Sequence, residues 1–131
     1  PVHNVLLAGE DLLHQASVSL RYGDSSRKRN VTESGVLFLS NFRLIFQSNE
    51  ARSRHIIAIP FLSLNQIIRK NHPSISQIKF ICKDEWKLKF AFAHRSKSDD
   101  MEKIYHFVQR QMQFHSITEL FAFTYKKALY L

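Results

Sequence analysis

At 131 residues and 44% hydrophobic content, with eleven Phe, the chain has the length of one domain that buries a single core without staples. A lone cysteine, Cys82, excludes an internal disulfide and favours a reducing compartment. No apolar run approaches a membrane span and no signal-like segment opens the chain, so a soluble, cytosolic domain is expected. Nineteen Lys and Arg against eleven Asp and Glu leave +8, a charge suited to nucleic acid, anionic lipid or acidic protein, or simply to solubility.

In chain order, Ala16 to Tyr22 alternates apolar residues with Ser17, Ser19 and Arg21, the period of a half-buried strand. Residues 36–40 and 42–48 read as a hairpin reversing at Ser40-Asn41, because Asn tolerates positive φ. Phe42, Leu44 and Phe46 alternate with Arg43, Ile45 and Gln47, which predicts one buried face. His55 to Ile59 is the next strand, and Pro60 ends it or places it at an edge. Leu64 to Lys70 follows, then the turn-like Asn71-His72-Pro73-Ser74. Ser76–Lys83 and Trp86–Ala93 form a last hairpin around Asp84-Glu85.

The period then changes. Ser98 can cap a helix whose first turn carries Asp99, Asp100 and Glu102, the right charge sign for a helix N-terminus. Met101, Ile104, Tyr105, Val108 and Met112 recur at three- and four-residue steps, which predicts an amphipathic helix of about four turns. A second short helix is expected near Ser116 to Tyr125. Strands first and helix last predict an α+β fold: an antiparallel sheet of about seven strands, folded into a sandwich or barrel and closed by the helix.

The stretch from Gly35 through Ser40-Asn41 to Phe42-Arg43-Leu44-Ile45-Phe46 resembles the signature of GRAM domains. Ile59-Pro60, Leu64 to Lys70, Cys82-Lys83-Asp84 and Leu120 to Tyr125 follow in the order of one family's landmarks. Over residues 9 to 125 the chain resembles the N-terminal PH-GRAM domain of the myotubularin phosphatases. That resemblance implies a pleckstrin-homology-like fold over residues 1–131, with 116–131 beginning the connection to a phosphatase domain. It implies a parent protein that removes the D3 phosphate of phosphoinositides, or an inactive relative, peripheral on endosomal or other phosphoinositide-containing membranes. It also implies an adjacent phosphatase domain as a partner, and association with itself or with related myotubularins. The chain begins at Pro1 without a methionine and stops within an apolar segment, so it reads as a piece of a longer protein.

Candidate binding residues fall in two places. Arg21 with Arg27, Lys28 and Arg29 resembles the basic motif of phosphoinositide-binding PH domains, with Arg in place of the usual leading Lys. Three adjacent cations among small polar residues can converge on one phosphate, and can equally form a solvated loop. Lys83, Lys87 and Lys89, with Lys79, fall opposite the apolar phase of the last hairpin, where like charges disfavour each other unless an anion or the Asp84-Glu85 turn relieves them. An ordinary outward face is the alternative reading.

No metal or cofactor is expected: the seven histidines are scattered, with no His-x-x-x-His pair. No catalysis is expected either. Myotubularin-type phosphatases use a Cys followed six positions later by Arg, and Cys82 is followed there by Leu88. No zinc finger, Arg-rich helix or aromatic RNA-binding strand marks specific nucleic-acid binding. A membrane-targeting module and a protein-interaction or structural module therefore lead, and the apolar tail Leu120 to Leu131 supports the second.

Overall fold

The computed structural model describes residues 6–23, 31–49, 56–71, 76–92 and 100–113. Seven antiparallel strands form one sheet: β1 (Leu12–Gly23), β2 (Val31–Ser40), β3 (Arg43–Ser48), β4 (Ile56–Pro60), β5 (Leu64–Asn71), β6 (Ser76–Cys82) and β7 (Lys87–Phe92). Their order is β4-β3-β2-β1-β7-β6-β5, so the long β1 joins an N-terminal meander to a C-terminal one. The sheet folds back on itself. Phe46 of β3 meets Phe90 of β7 at 5.9 Å between ring centroids, although two strands separate them in the ladder. The architecture predicted from the switch in period is the one observed.

Inward residues of all seven strands make one core, with Leu20, Leu37, Leu44, Phe46, Ile78, Phe80 and Phe90 fully buried. The helix α1 (residues 100–113) packs on that inner side through Met101, Ile104 and Val108, also fully buried. It is tied to β1 by His14 Nε2 and Asp100 Oδ1, 2.8 Å apart. On β5, Arg69 pairs with Glu102 and lies 4.5 Å over the Tyr105 ring. The predicted cap at Ser98 and the second helix near 116–125 lie outside the described residues.

The β2–β3 reversal differs from its expected form. It turns through Asn41 and Phe42, and among the described residues only Glu85 and Gly9 have positive φ. Asn41 serves through its side chain: its carbonyl accepts the Asp11 N–H at 2.9 Å and its amide donates to the Gly9 carbonyl at 3.1 Å. Ser40 Oγ accepts the N–H groups of Phe42 and Arg43 and donates to Glu10 at 2.6 Å. The Glu10 side chain is fully buried and takes a two-pronged contact from the Arg43 guanidinium, 3.0 Å at each oxygen. Burial would push the Glu10 carboxyl up, but the bonds from Arg43, Ser40 and the Leu7 N–H, with the Arg43 charge, hold it at about 2.

Two residues depart from the predicted alternation. Phe42 lies in the turn and is 46% exposed, whereas Ile45, on the predicted polar phase, is fully buried. Ile45 and Phe38 form a second small core on the outer face with Leu6, Leu12 and Val36. The chain segment preceding β1 thus covers the outer side of β2 and β3.

Gly35 is required by close approach. A methyl group there would overlap the Gln47 carbonyl oxygen and lie 2.7 Å from the Phe46 ring. Gly35→Ala is expected to destabilise the domain by about 1–3 kcal/mol, read as a lowered midpoint in urea unfolding.

Candidate functional site

The cations of the C-terminal hairpin share a face with β1. Arg21 pairs with Lys89, and Lys89 pairs with Lys79, so three cations stand in one row across β1, β7 and β6. Sheet geometry sets such neighbours about 5 Å apart across strands and about 7 Å apart along them. Lys87 lies two residues from Lys89 on the same face, and Lys70 lies in the adjacent row, opposite Gln77. Arg21, Lys70 and Lys87 are exposed; Lys79 and Lys89 are half-buried.

The residues surrounding this row on the same face are Ser19, Thr32, Ser34, Gln66, Ile68, Gln77, Ile81 and Ala91, given by the ladder register. No carboxylate is among them. Burial, then the charges of Lys87, Lys89 and Lys70, pull the Lys79 ammonium below the ordinary lysine value. A bound anion would offset the repulsion between these lysines. Asp84 and Glu85, the alternative source of relief, sit exposed in the β6–β7 turn.

The predicted set divides three ways. Arg21, Lys87 and Lys89 are brought together on the outer face. Lys83 is not with them: it sits exposed in the β6–β7 turn and lines a cleft at the end of the barrel. Arg27, Lys28 and Arg29 lie outside the described residues. Lys70 is absent from the predicted set although its signal is local: alternation turns it outward on β5, and β5 and β6 are consecutive antiparallel strands.

The β6–β7 turn that presents Lys83 is closed by the Cys82 N–H donating to the Trp86 carbonyl at 2.9 Å. Within it Glu85 adopts φ 72°, a left-handed conformation that costs a non-glycine residue about 1–2 kcal/mol. Glu85→Gly is expected to raise stability by about 1 kcal/mol, seen as a higher thermal midpoint.

The cleft runs between the edge strand β4 and the β6–β7 hairpin and encloses about 560 Å³. Its walls include Tyr22, Ile57, Ile59, Pro60, Trp86 and Leu88. The Tyr22 and Trp86 ring centroids are 6.3 Å apart. Cys82 lies in the wall, half-buried; burial, then the Asp84 charge, pushes its thiol up.

The family model described as the GRAM domain matches residues 2–117, nearly the whole chain. The chain belongs to the GRAM domain family. The GRAM signature is thereby explained by packing: Gly35 makes room for Phe46, and Ser40 and Arg43 hold the buried Glu10. Among solved structures, this GRAM domain is similar to a "Vps36 N-terminal PH domain", at 14% identity and TM-score 0.66, covering 83% of this chain and 86% of that one. It is also similar to a C-terminal domain of an unknown protein from Leishmania infantum, at 17% identity and TM-score 0.55, covering 78% and 87%. These likenesses establish the pleckstrin-homology-like fold. No curated protein sequence matches. GRAM and PH-like domains are membrane-, lipid- or protein-binding modules. Among the described residues no helix is long and apolar enough to cross a membrane.

Proposed function

We propose that this GRAM domain is a membrane-targeting module that recognises phosphoinositides on an anionic leaflet and is non-catalytic by itself. The observation that carries the reading is the row Arg21–Lys89–Lys79, flanked by Lys87 and Lys70, with no carboxylate around it among the described residues of that face. Like charges held in register destabilise a sheet, and a surface of lipid phosphates turns that repulsion into attraction. Long-range attraction brings the domain to the leaflet, and charge-assisted hydrogen bonds then fix head-group phosphates. Arg21, Lys87 and Lys89 form the contact, with Lys83 at its corner and Arg27, Lys28 and Arg29 contributing from the β1–β2 connection.

The order of landmarks supports a finer assignment, the PH-GRAM domain of a myotubularin-like phosphoinositide 3-phosphatase or an inactive relative. In that setting residues 116–131 begin the connection to the phosphatase domain, and the parent protein is peripheral on endosomal or similar membranes. A protein-interaction role has its own support at the opposite pole of the barrel. Leu7, Leu13 and Phe42 are each about half exposed there and suit a neighbouring domain.

The test is binding to liposomes carrying single phosphoinositides, against phosphatidylserine vesicles of matched charge. The variant Arg27→Glu, Lys28→Glu, Arg29→Glu is run beside the parent chain after its fold is checked. Selective binding supports phosphoinositide recognition, and its loss in the variant assigns the β1–β2 connection to the site. Absence of binding to every anionic vesicle contradicts the membrane reading and favours the interaction role.

A further inference from the structure

The end cleft has a composition that the basic face does not explain. Most of its wall is hydrocarbon or aromatic, and several of its polar groups are already engaged within the protein. The Tyr22 hydroxyl donates to Glu33 at 3.4 Å, and Ser63 Oγ donates to the Pro60 carbonyl at 2.7 Å. Asp84 Oδ1 accepts the Trp86 N–H at 3.3 Å, and the Lys83 N–H donates to the Ser63 carbonyl at 2.8 Å. The exposed Lys83 side chain has no hydrogen-bond or ion-pair partner among the described residues, and the exposed Asp84 carboxylate is the one acid beside it on the described lining.

The cleft also adjoins the basic face through β7. Trp86 and Leu88 line it, while Lys87, between them in sequence, belongs to the outer face. A volume of about 560 Å³ is in the range that holds a small lipid or drug-sized ligand. An occupant that asks the wall for no hydrogen bonds and offers an anion at the rim fits this pattern.

We propose that the cleft takes the hydrocarbon chain of an anionic lipid, with Lys83 holding the phosphate at its mouth. The inference rests on the membrane reading above and adds a second contact, so that a lipid met at the basic corner is gripped by its chain as well as its charge.

Trp86 is the only tryptophan and Cys82 the only cysteine, and both line the cleft. The probe is monomeric dodecyl phosphate below its micelle concentration, with inorganic phosphate and dodecyl maltoside as controls. A saturable blue shift of Trp86 emission is expected with dodecyl phosphate and not with inorganic phosphate. Alkylation of Cys82 should slow several-fold over the same concentrations. Lys83→Gln should weaken the response about tenfold, the scale of one charge-assisted hydrogen bond. Ala58→Phe, at an exposed position on the cleft wall, should fill the cavity and abolish it.

Emission and alkylation that do not respond below the micelle threshold overturn the proposal, as does a response unchanged in a folded Ala58→Phe variant. The Cys82 protection needs no variant, so the proposal stays testable if Ala58→Phe misfolds. Vesicle binding by the parent chain with a silent Trp86 removes the cleft and leaves the membrane reading. Saturable binding of dodecyl phosphate without vesicle binding removes the membrane reading and leaves the cleft as a lipid site.

Discussion

Glu10→Ala is expected to lower stability by about 3–5 kcal/mol, a drop of roughly 10–20 °C in thermal midpoint for a domain of this length. The substitution leaves the Arg43 guanidinium without its bidentate acceptor and takes the acceptor from Ser40 Oγ, all beside the β2–β3 turn. Glu10→Gln keeps the shape and should cost less, because an amide can still accept one of these bonds. The pair also predicts a pH dependence. In the folded state the Glu10 carboxyl titrates at about 2, against 4.5 as its ordinary value. A depressed carboxylate contributes fully above the ordinary value and loses its contribution as the pH falls from about 4.5 towards 2. That loss amounts to roughly 3 kcal/mol, and Glu10→Gln should remove it. Urea melts at pH 7, 4.5 and 3 check this: the parent chain loses stability over the interval and Glu10→Gln loses correspondingly less.

The second large effect concerns binding. Arg21→Gln, Lys79→Gln, Lys89→Gln removes the whole row of cations across β1, β7 and β6. Each basic side chain near an anionic leaflet contributes about 1 kcal/mol, so vesicle affinity should fall roughly 100-fold. The dependence of binding on salt should flatten with it. Stability should move the other way or hold, because Lys79 loses the neighbouring charge that disfavours it. A variant that binds less while melting no lower separates a functional row from a structural one. Vesicle sedimentation at two ionic strengths beside a thermal melt gives both quantities.

Much of the fold is carried by local pattern. Alternation from Ala16 to Tyr22 and the three- and four-residue steps from Met101 to Met112 each have a period that only one element satisfies. The hairpin position follows from the polar Ser40-Asn41 break, but its geometry does not: Asn41 holds the turn by bonding to the segment before β1, thirty residues away. The same distance hides Glu10, an acid whose role depends on Ser40 and Arg43 meeting it in space. The lysines of β6 and β7 are readable as a face because a hairpin makes its two strands neighbours. Lys70 joins through the consecutive β5 and β6 in the same way, but Arg21 joins that face only through the strand order, which no local period encodes. The cleft is less legible still, since it forms where the sheet closes between its β4 edge and the β6–β7 hairpin.

The central claim is that the outer face of β1, β7 and β6 lies against the membrane. It is tested most directly by an environment-sensitive fluorophore at Ser19→Cys, beside Arg21 on that face, in a Cys82→Ser background. A second protein carries the probe at Gln113→Cys, exposed on α1, which packs on the inner side. With both proteins bound to phosphoinositide vesicles, the account predicts a blue shift at position 19 and none at position 113. A shift at 113 alone, or at neither site while the protein is bound, would contradict it.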